Sequence, residues 1–260
     1  MRRLAVGLVP DALKRRHERW STARHLGVVR PATDEYVRRH GLEVRHGPFR
    51  GMQYVEGMVP APDDLVAKLV GTYEAELHGV VAEWIERGFP HVVDVGSAEG
   101  YYAVGLAVAM PRTIVHAYDI DERARSRCAA MAERNRVAAR VRIGELCTAS
   151  TLETLPEDGV ALLSDCEGYE RVLLDPDAAP RLRGWTMLVE LHEFLDVGIA
   201  ATIAERFRSS HDIELIAGAP RAGGDVPELT FLDAPARARV LSERRPGPMR
   251  WAVLRPRDRS

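Results

Sequence analysis

His91-Val92-Val93-Asp94-Val95-Gly96-Ser97-Ala98-Glu99-Gly100-Tyr101-Tyr102 decides how this chain is read. A β-branched apolar run passes into an acid and a turn of small residues. Helix-forming residues follow, from Tyr102 to Ala109. A buried parallel strand, a tight turn and a covering helix open the nucleotide-binding unit of an α/β protein. The spacing is Asp-x-Gly-x-x-x-Gly, not the Gly-x-Gly-x-x-Gly that brings three glycines against a pyrophosphate. Glu99, just before the second glycine, would repel a pyrophosphate. Asp94 and Glu99 suit a ligand with a positive centre and hydrogen-bond donors.

Downstream, strands and helices alternate. Strands are expected over 113–119, 140–143, 159–165 and 186–191, with helices over 121–135, 169–174 and 197–208. Residues 211–216 and 249–254 read as a closing antiparallel pair, joined by a Gly/Pro-rich loop over 217–227 and a short helix over 235–245. The expectation is an α/β fold with a mostly parallel seven-stranded sheet and an antiparallel edge hairpin. Upstream, a helix over 62–87, broken near Gly71, carries Tyr73, Glu74 and His78, placed to reach across a pocket mouth. Residues 1–60 read as an N-terminal helical cap or lid, and 61–260 as the ligand-binding domain. The cap holds helices over 11–24 and 31–41 and a small hairpin over 42–55. Its many arginines lack interleaved aromatics, so they read as a solvated face and not an RNA-contacting one.

Composition narrows the classes. The 260 residues are 46% apolar and carry a formal net charge of -2, which gives no general attraction to nucleic acid or membrane. Three cysteines, Cys128, Cys147 and Cys166, form no C-x-x-C pair, so neither a zinc site nor a disulfide framework is indicated. A reducing cytoplasm fits best. No apolar run approaches the roughly 20 residues that span a bilayer.

Ligands of an open parallel sheet lie beyond the carboxyl ends of its strands. Asp94, Asp119, Asp165 and Glu190 all fall there. Asp119 stands where an acid accepts ribose hydroxyls, with helix capping as its alternative; Asp121 is the better cap. Glu145-Leu146 sits where an adenine edge would lie, or is a plain turn. Cys166 reads as a packing residue.

Asp94 to Gly100, Tyr118-Asp119, Asn135 and Asp165-Cys166-Glu167-Gly168-Tyr169-Glu170 together resemble a class I S-adenosylmethionine-dependent methyltransferase. The last segment is similar to the Asp-x-Glu-Gly-x-Glu motif of the FkbM-like methyltransferases. The resemblance covers roughly residues 85–215. It implies a Rossmann-like class I methyltransferase fold and methyl transfer, usually to oxygen on a sugar or secondary metabolite. Its implied cofactor, S-adenosyl-L-methionine, is expected to meet Asp94, Gly96, Ser97, Glu99, Gly100 and Tyr101. Asp119, Ile120, Glu145, Leu146 and Asp165 complete that set. The chain departs from the family pattern at Ser97-Ala98-Glu99 and at Glu190-Leu191-His192-Glu193.

In-line transfer from a sulfonium depends mostly on alignment. A hydroxyl acceptor still gains from a base, and His192 is the candidate, with Asp165, Glu167 and Glu190 as further catalytic residues. A histidine held in a strand-end network is the other reading of His192. A divalent cation such as Mg2+ on Asp165, Glu190, His192 and Glu193 is an alternative that is not expected. The implied partner is a small-molecule acceptor, with a homodimer compatible and no membrane or nucleic acid. Other readings are N- or C-methylation, transfer of another group from the same cofactor, or a non-catalytic cofactor-binding scaffold.

Overall fold

The computed structural model describes residues 27–57, 62–219, 226–243 and 249–257. The helix expected over 11–24 lies outside these residues. Residues 27–40 are helical (α1), followed by α2 (Pro62–Val70) and α3 (His78–Arg87). Alternation then begins: β1 (His91–Val95), α4 (Tyr101–Ala109), β2 (Ile114–Tyr118), α5 (Glu122–Arg134) and β3 (Val141–Gly144). It continues through α6 (Ala149–Leu152), β4 (Val160–Ser164), α7 (Glu170–Leu173), β5 (Thr186–Leu191) and α8 (Ile199–Phe207). β6 (His211–Ala217), α9 (Ala234–Val240) and β7 (Arg250–Pro256) close the chain. No described helix is long and apolar enough to cross a membrane.

The seven strands lie in the order β3-β2-β1-β4-β5-β7-β6. β1 to β5 pair in parallel, and β7 runs antiparallel to both β5 and β6. This is a Rossmann-like arrangement, with the antiparallel pair at one edge. The closing antiparallel pair lies at one edge as expected, with β7 between β5 and β6. The α8 crossover lands β6 one strand away from β5, and the returning chain fills the gap. Strand order turns at β1 and β4, and there the carboxyl ends diverge to leave a crevice.

Two apolar clusters sandwich the sheet. One joins Val92, Val115 and Leu163 to α4, α5 and the N-terminal residues Val29, Tyr36, Phe49 and Met52. The other joins Val93, Leu162 and Val189 to Leu173, Ile203 and Phe207. The described part of the cap therefore shares the sheet's own core. Phe49 lies against Gly105 of α4, where any side chain would collide with its ring.

Two local expectations take specific forms for physical reasons. The hairpin over 42–55 shrinks to one bridge, Glu43 with Gln53. The Val44 N–H to Met52 carbonyl and Tyr54 N–H to Leu42 carbonyl bonds flank that bridge, and the outward groups of Gln53 pair with Asn135: its Oδ1 accepts from the Gln53 N–H at 2.7 Å, and its Nδ2 donates to the Gln53 carbonyl at 2.8 Å. The break expected near Gly71 divides the helix over 62–87 into α2 and α3. At Gly71 (φ 82) a Cβ would stand 2.0 Å from the His46 carbonyl oxygen, and residues beyond it form a turn with Glu74 left-handed at φ 47.

Gly96 sets the spacing of β1 and β4. Its φ is 87, and a Cβ there would lie 1.7 Å from the carbonyl oxygen of Asp165. Gly96→Ala is expected to cost about 2 kcal/mol or more through strain and strand displacement. Urea unfolding checks this; an unchanged midpoint would refute the close approach.

Candidate active site

The loop after β1 is stitched to the end of β2. The N–H groups of Gly96 and Ser97 both donate to the Tyr118 carbonyl, at 2.8 and 3.1 Å. The Ala98 N–H donates to Asp119 Oδ2 at 2.9 Å. Asp94 thereby sits beneath the loop, 1% exposed, and neither carboxylate oxygen has a hydrogen-bond partner among the described residues. Burial first, then the Asp165 carboxylate, push its pKa up to about 8. The Ala103 N–H opposes this in part without reaching hydrogen-bonding geometry.

Glu99 differs from what the sequence suggests. Its positive partner is Lys68 on α2, 2.6 Å away, and Tyr54 donates to the same oxygen at 3.2 Å. Lys68 also pairs with Asp64 at 2.9 Å and lies over the Tyr73 ring. Burial alone would raise the pKa of Glu99, yet Lys68 holds it below the ordinary carboxylate range. Glu99 is thus a buried tie between α4 and α2, and its charge is already met. Tyr101, expected among the cofactor residues, is also buried, its ring edge-on to Phe49, Tyr73 and Tyr102.

At the end of β2, Asp121 caps α5 by accepting from the Arg123 N–H. Asp119 is left half-buried at the crevice, where its oxygens also accept from the N–H groups of Ala98 and Asp121. Ile120 and Leu146, at the ends of adjacent strands, are exposed apolar side chains. Glu145 is exposed beside Leu146 and points to no described partner.

β4 and β5 bring together the remaining candidates. His192, 2% exposed, has Nδ1 3.0 Å from Glu170 Oε1. Its Nε2 lies 3.4 Å from Asp165, 3.6 Å from Glu167 and 4.0 Å from Glu190. Burial would lower the pKa of this imidazole, but Asp165, Glu170 and Glu190 raise it to about 10. These acids favour the protonated ring, and they place His192 in a strand-end network, the other reading that the sequence offered. Burial and the neighbouring Asp165 push Glu190 up to about 10 as well. Among the described residues, Asp165, Glu190 and His192 each offer a ligand atom within 4.8 Å of the others. Glu193 does not join them; Arg250 binds both its oxygens, at 2.5 and 2.7 Å. Burial and Glu170 push the Cys166 thiol up, consistent with packing.

The roof comes from the turn between α2 and α3. Glu74 is 3% exposed; its N–H donates to Glu243 and its carboxylate accepts from the Tyr102 hydroxyl. Its charge reaches Glu190. His78 Nε2 lies 3.1 Å from the Tyr73 carbonyl oxygen. Tyr102 and Glu243 were not singled out by sequence reasoning. Tyr102 sits one residue into α4 and reads there as ordinary helix packing. Glu243 follows α9, far along the chain, with no motif around it.

No family model and no curated protein matches the chain. Among solved structures it is similar to precorrin-6y C5,15-methyltransferase from Geobacter metallireducens, at 12% identity and TM-score 0.48, covering 78% of this chain and 92% of that one. It is similar to the O-methyltransferase TomG from Streptomyces achromogenes, at 12% identity and TM-score 0.47, covering 88% and 89%. It also resembles an O-methyltransferase from Bacillus cereus, at 11% identity and TM-score 0.44, covering 88% and 91%. At such distances the functional argument rests on the strand order and the site's own residues.

Lys68→Met should leave Glu99 buried and uncompensated, destabilising the protein by about 3–5 kcal/mol in urea unfolding. A loss under about 1 kcal/mol would show that the pair is not the tie described. Because the folded pKa of Glu99 is depressed, its contribution is present above the ordinary value of 4.5 and lost as pH falls through the depressed one. The acid limb of the stability profile should therefore flatten in Glu99→Gln.

Proposed function

We propose that this protein is an S-adenosylmethionine-dependent methyltransferase acting on a hydroxyl of a small molecule, of the sugar or secondary-metabolite class that the motif resemblance implies. The observation that carries the reading is Asp94, a buried carboxylate with two unpartnered oxygens at the carboxyl end of β1. An unpaired acid there is costly unless a cationic or donor-bearing ligand meets it. The cofactor's ammonium is such a group, and its ribose and adenine correspond to Asp119 and to the Ile120–Leu146 pair. The cofactor supplies an electrophilic methyl on a sulfonium.

This chain's residues then align and deprotonate the acceptor. Gly96, Ser97 and Gly100 keep the loop low, so the donor is fixed relative to the strand ends. Glu170 holds the Nδ1 side of His192 and leaves Nε2 facing Asp165 and the crevice, where an acceptor hydroxyl would stand. A cation entering beside Asp165 opposes the imidazolium and lowers its proton affinity, so His192 becomes a usable base in the loaded site. Asp165, Glu167 and Glu190 orient that ring. The roof formed by Tyr73 and Glu74 excludes water from the transferring methyl.

The proximity of Asp165, Glu190 and His192 favours a second reading, in which a divalent cation binds there and holds the acceptor oxygen. Glu170 against Nδ1 is the outer partner such a histidine ligand commonly has. Chelation followed by metal add-back separates the two. Activity that survives chelation supports the base, and activity restored only by metal supports the ion.

Two outcomes test the main reading. Calorimetry should show S-adenosylmethionine binding, abolished in Asp119→Ala. Asp94, with its pKa near 8, is mostly protonated at pH 7 in the empty site, and a cationic ligand favours its carboxylate. Binding should therefore release protons and tighten as pH rises from about 6 to 8. Calorimetry in buffers of different ionisation enthalpy reads that release, which should vanish in Asp94→Asn. His192→Gln should lower kcat about 100-fold or more with cofactor affinity nearly unchanged. Failure of the protein to bind the cofactor at all would sink the proposal.

A further inference from the structure

A cavity of about 630 Å3 lies over one face of β1, β2 and β3, from His91 at the start of β1 to Tyr118 and Gly144 at the ends of β2 and β3, and none of the crevice acids lines it. Strands of a parallel sheet are usually apolar on both faces, because helices cover both. Here one face breaks that rule. His116 is paired in register with Arg142, and His91 lies on the same face, two positions before Val93, which pairs with His116. The β3–β4 crossover supplies only α6, four residues long, too short to cover three strands. The sheet is left with an open polar groove instead of a helix interface.

The groove's charge is one-sided. His91, His116, Arg142 and Arg181 line it, together with the Tyr118 ring, and no carboxylate does. Arg181 has Glu153 at 3.6 Å, a loose contact, while Arg142 is exposed and makes no ion pair among the described residues. His91 Nδ1 and His116 Nε2 face each other at 3.3 Å. Burial first, then the neighbouring His91 and Arg142, lowers the pKa of His116 to about 4. Burial and Arg142 lower that of His91 too. Burial, assisted by the positive charge of Arg142, thus favours the neutral form of both histidines.

We propose that this groove binds a small phosphate-bearing anion, gripped by Arg142 and Arg181 above a floor of His91 and His116. The site is distinct from the crevice of Asp94 and Asp165. Guanidinium forks match phosphoryl oxygens bidentately, and two of them converging with imidazole nitrogens offer more donors than a carboxylate can use. The volume falls within the range of small-molecule sites. The net charge of -2 favours a small ligand over a nucleic-acid strand.

The test is titration of the full-length protein at pH 7 with inorganic phosphate, with ribose 5-phosphate, and with acetate or chloride at matched ionic strength. Binding is read by calorimetry and by the histidine ring resonances. Phosphate and the monoester should bind saturably and shift two histidine signals, assigned by loss of one in His116→Asn. Arg142→Gln should weaken both about tenfold or more, and Arg142→Lys less, with the thermal midpoint unchanged because Arg142 is exposed. Equal affinities would make free phosphate sufficient, and a tighter monoester would assign a role to its organic part; both support the site. Equal response to chloride or acetate, undiminished binding in Arg142→Gln, or binding of an RNA oligonucleotide alone would overturn it.

Discussion

Carboxylates buried side by side at the ends of neighbouring strands must be balanced by protons or by cations, and this molecule has few cations there to give. Asp94, Asp165, Glu190 and Glu74 crowd one crevice, and the raised pKa values of Asp94 and Glu190 record their mutual repulsion after burial. Lys68, the lysine nearest them, is committed to Glu99 and Asp64. His192 carries the remaining positive charge, held by acids on three sides. Raised pKa values at Asp94 and Glu190 favour protons there, which a cationic ligand would displace. That single imbalance links the fold to the charge of the ligand that the crevice suits.

The sheet makes the imbalance unavoidable. Parallel pairing of β1, β4 and β5 puts their carboxyl ends in one row, so an acid closing each strand meets the acids of its neighbours. The close approach of Gly96 to the Asp165 backbone fixes how near β1 and β4 can bring those groups. A wider turn would let water in and relax the repulsion. The tightness that strains the first loop also keeps the carboxylates dry.

Much of this was legible in the chain. Apolar β-branched runs closed by Asp94, Asp119 and Glu190 marked strands and strand ends, since such runs have few other uses. What stayed hidden depends on distant partners. Glu99 looked available because nothing near it in sequence marks Lys68, 31 positions earlier, as its counterion. The bonds that tie Gln53 of the short hairpin to Asn135, 82 positions away, were hidden in the same way. The charge on His192 was hidden as well: histidine's ordinary pKa near 6.5 makes it a base by default, and only the assembled acids reverse that. The placement of β7 inside the sheet left no local signal, because an inner strand and an edge strand of this length read alike.

The spacing of Asp165-Cys166-Glu167-Gly168-Tyr169-Glu170 now has a physical account. Glu167 at φ 55 and Gly168 at φ 96 make two successive left-handed residues that fold the chain back at once after β4. The fold-back leaves Asp165 facing the crevice and turns Glu167 outward, its side chain 79% exposed. Glu170 swings inward at 0% exposure, accepting from the Cys166 N–H at 2.8 Å with the same oxygen that meets His192. One carboxylate thus closes the turn and seats the histidine. Lengthening the segment by a residue would free Glu170 from one of these tasks, and glycine is the residue that lets the turn stay this short. The motif is therefore a device for delivering two acids of different exposure to the two nitrogens of one ring.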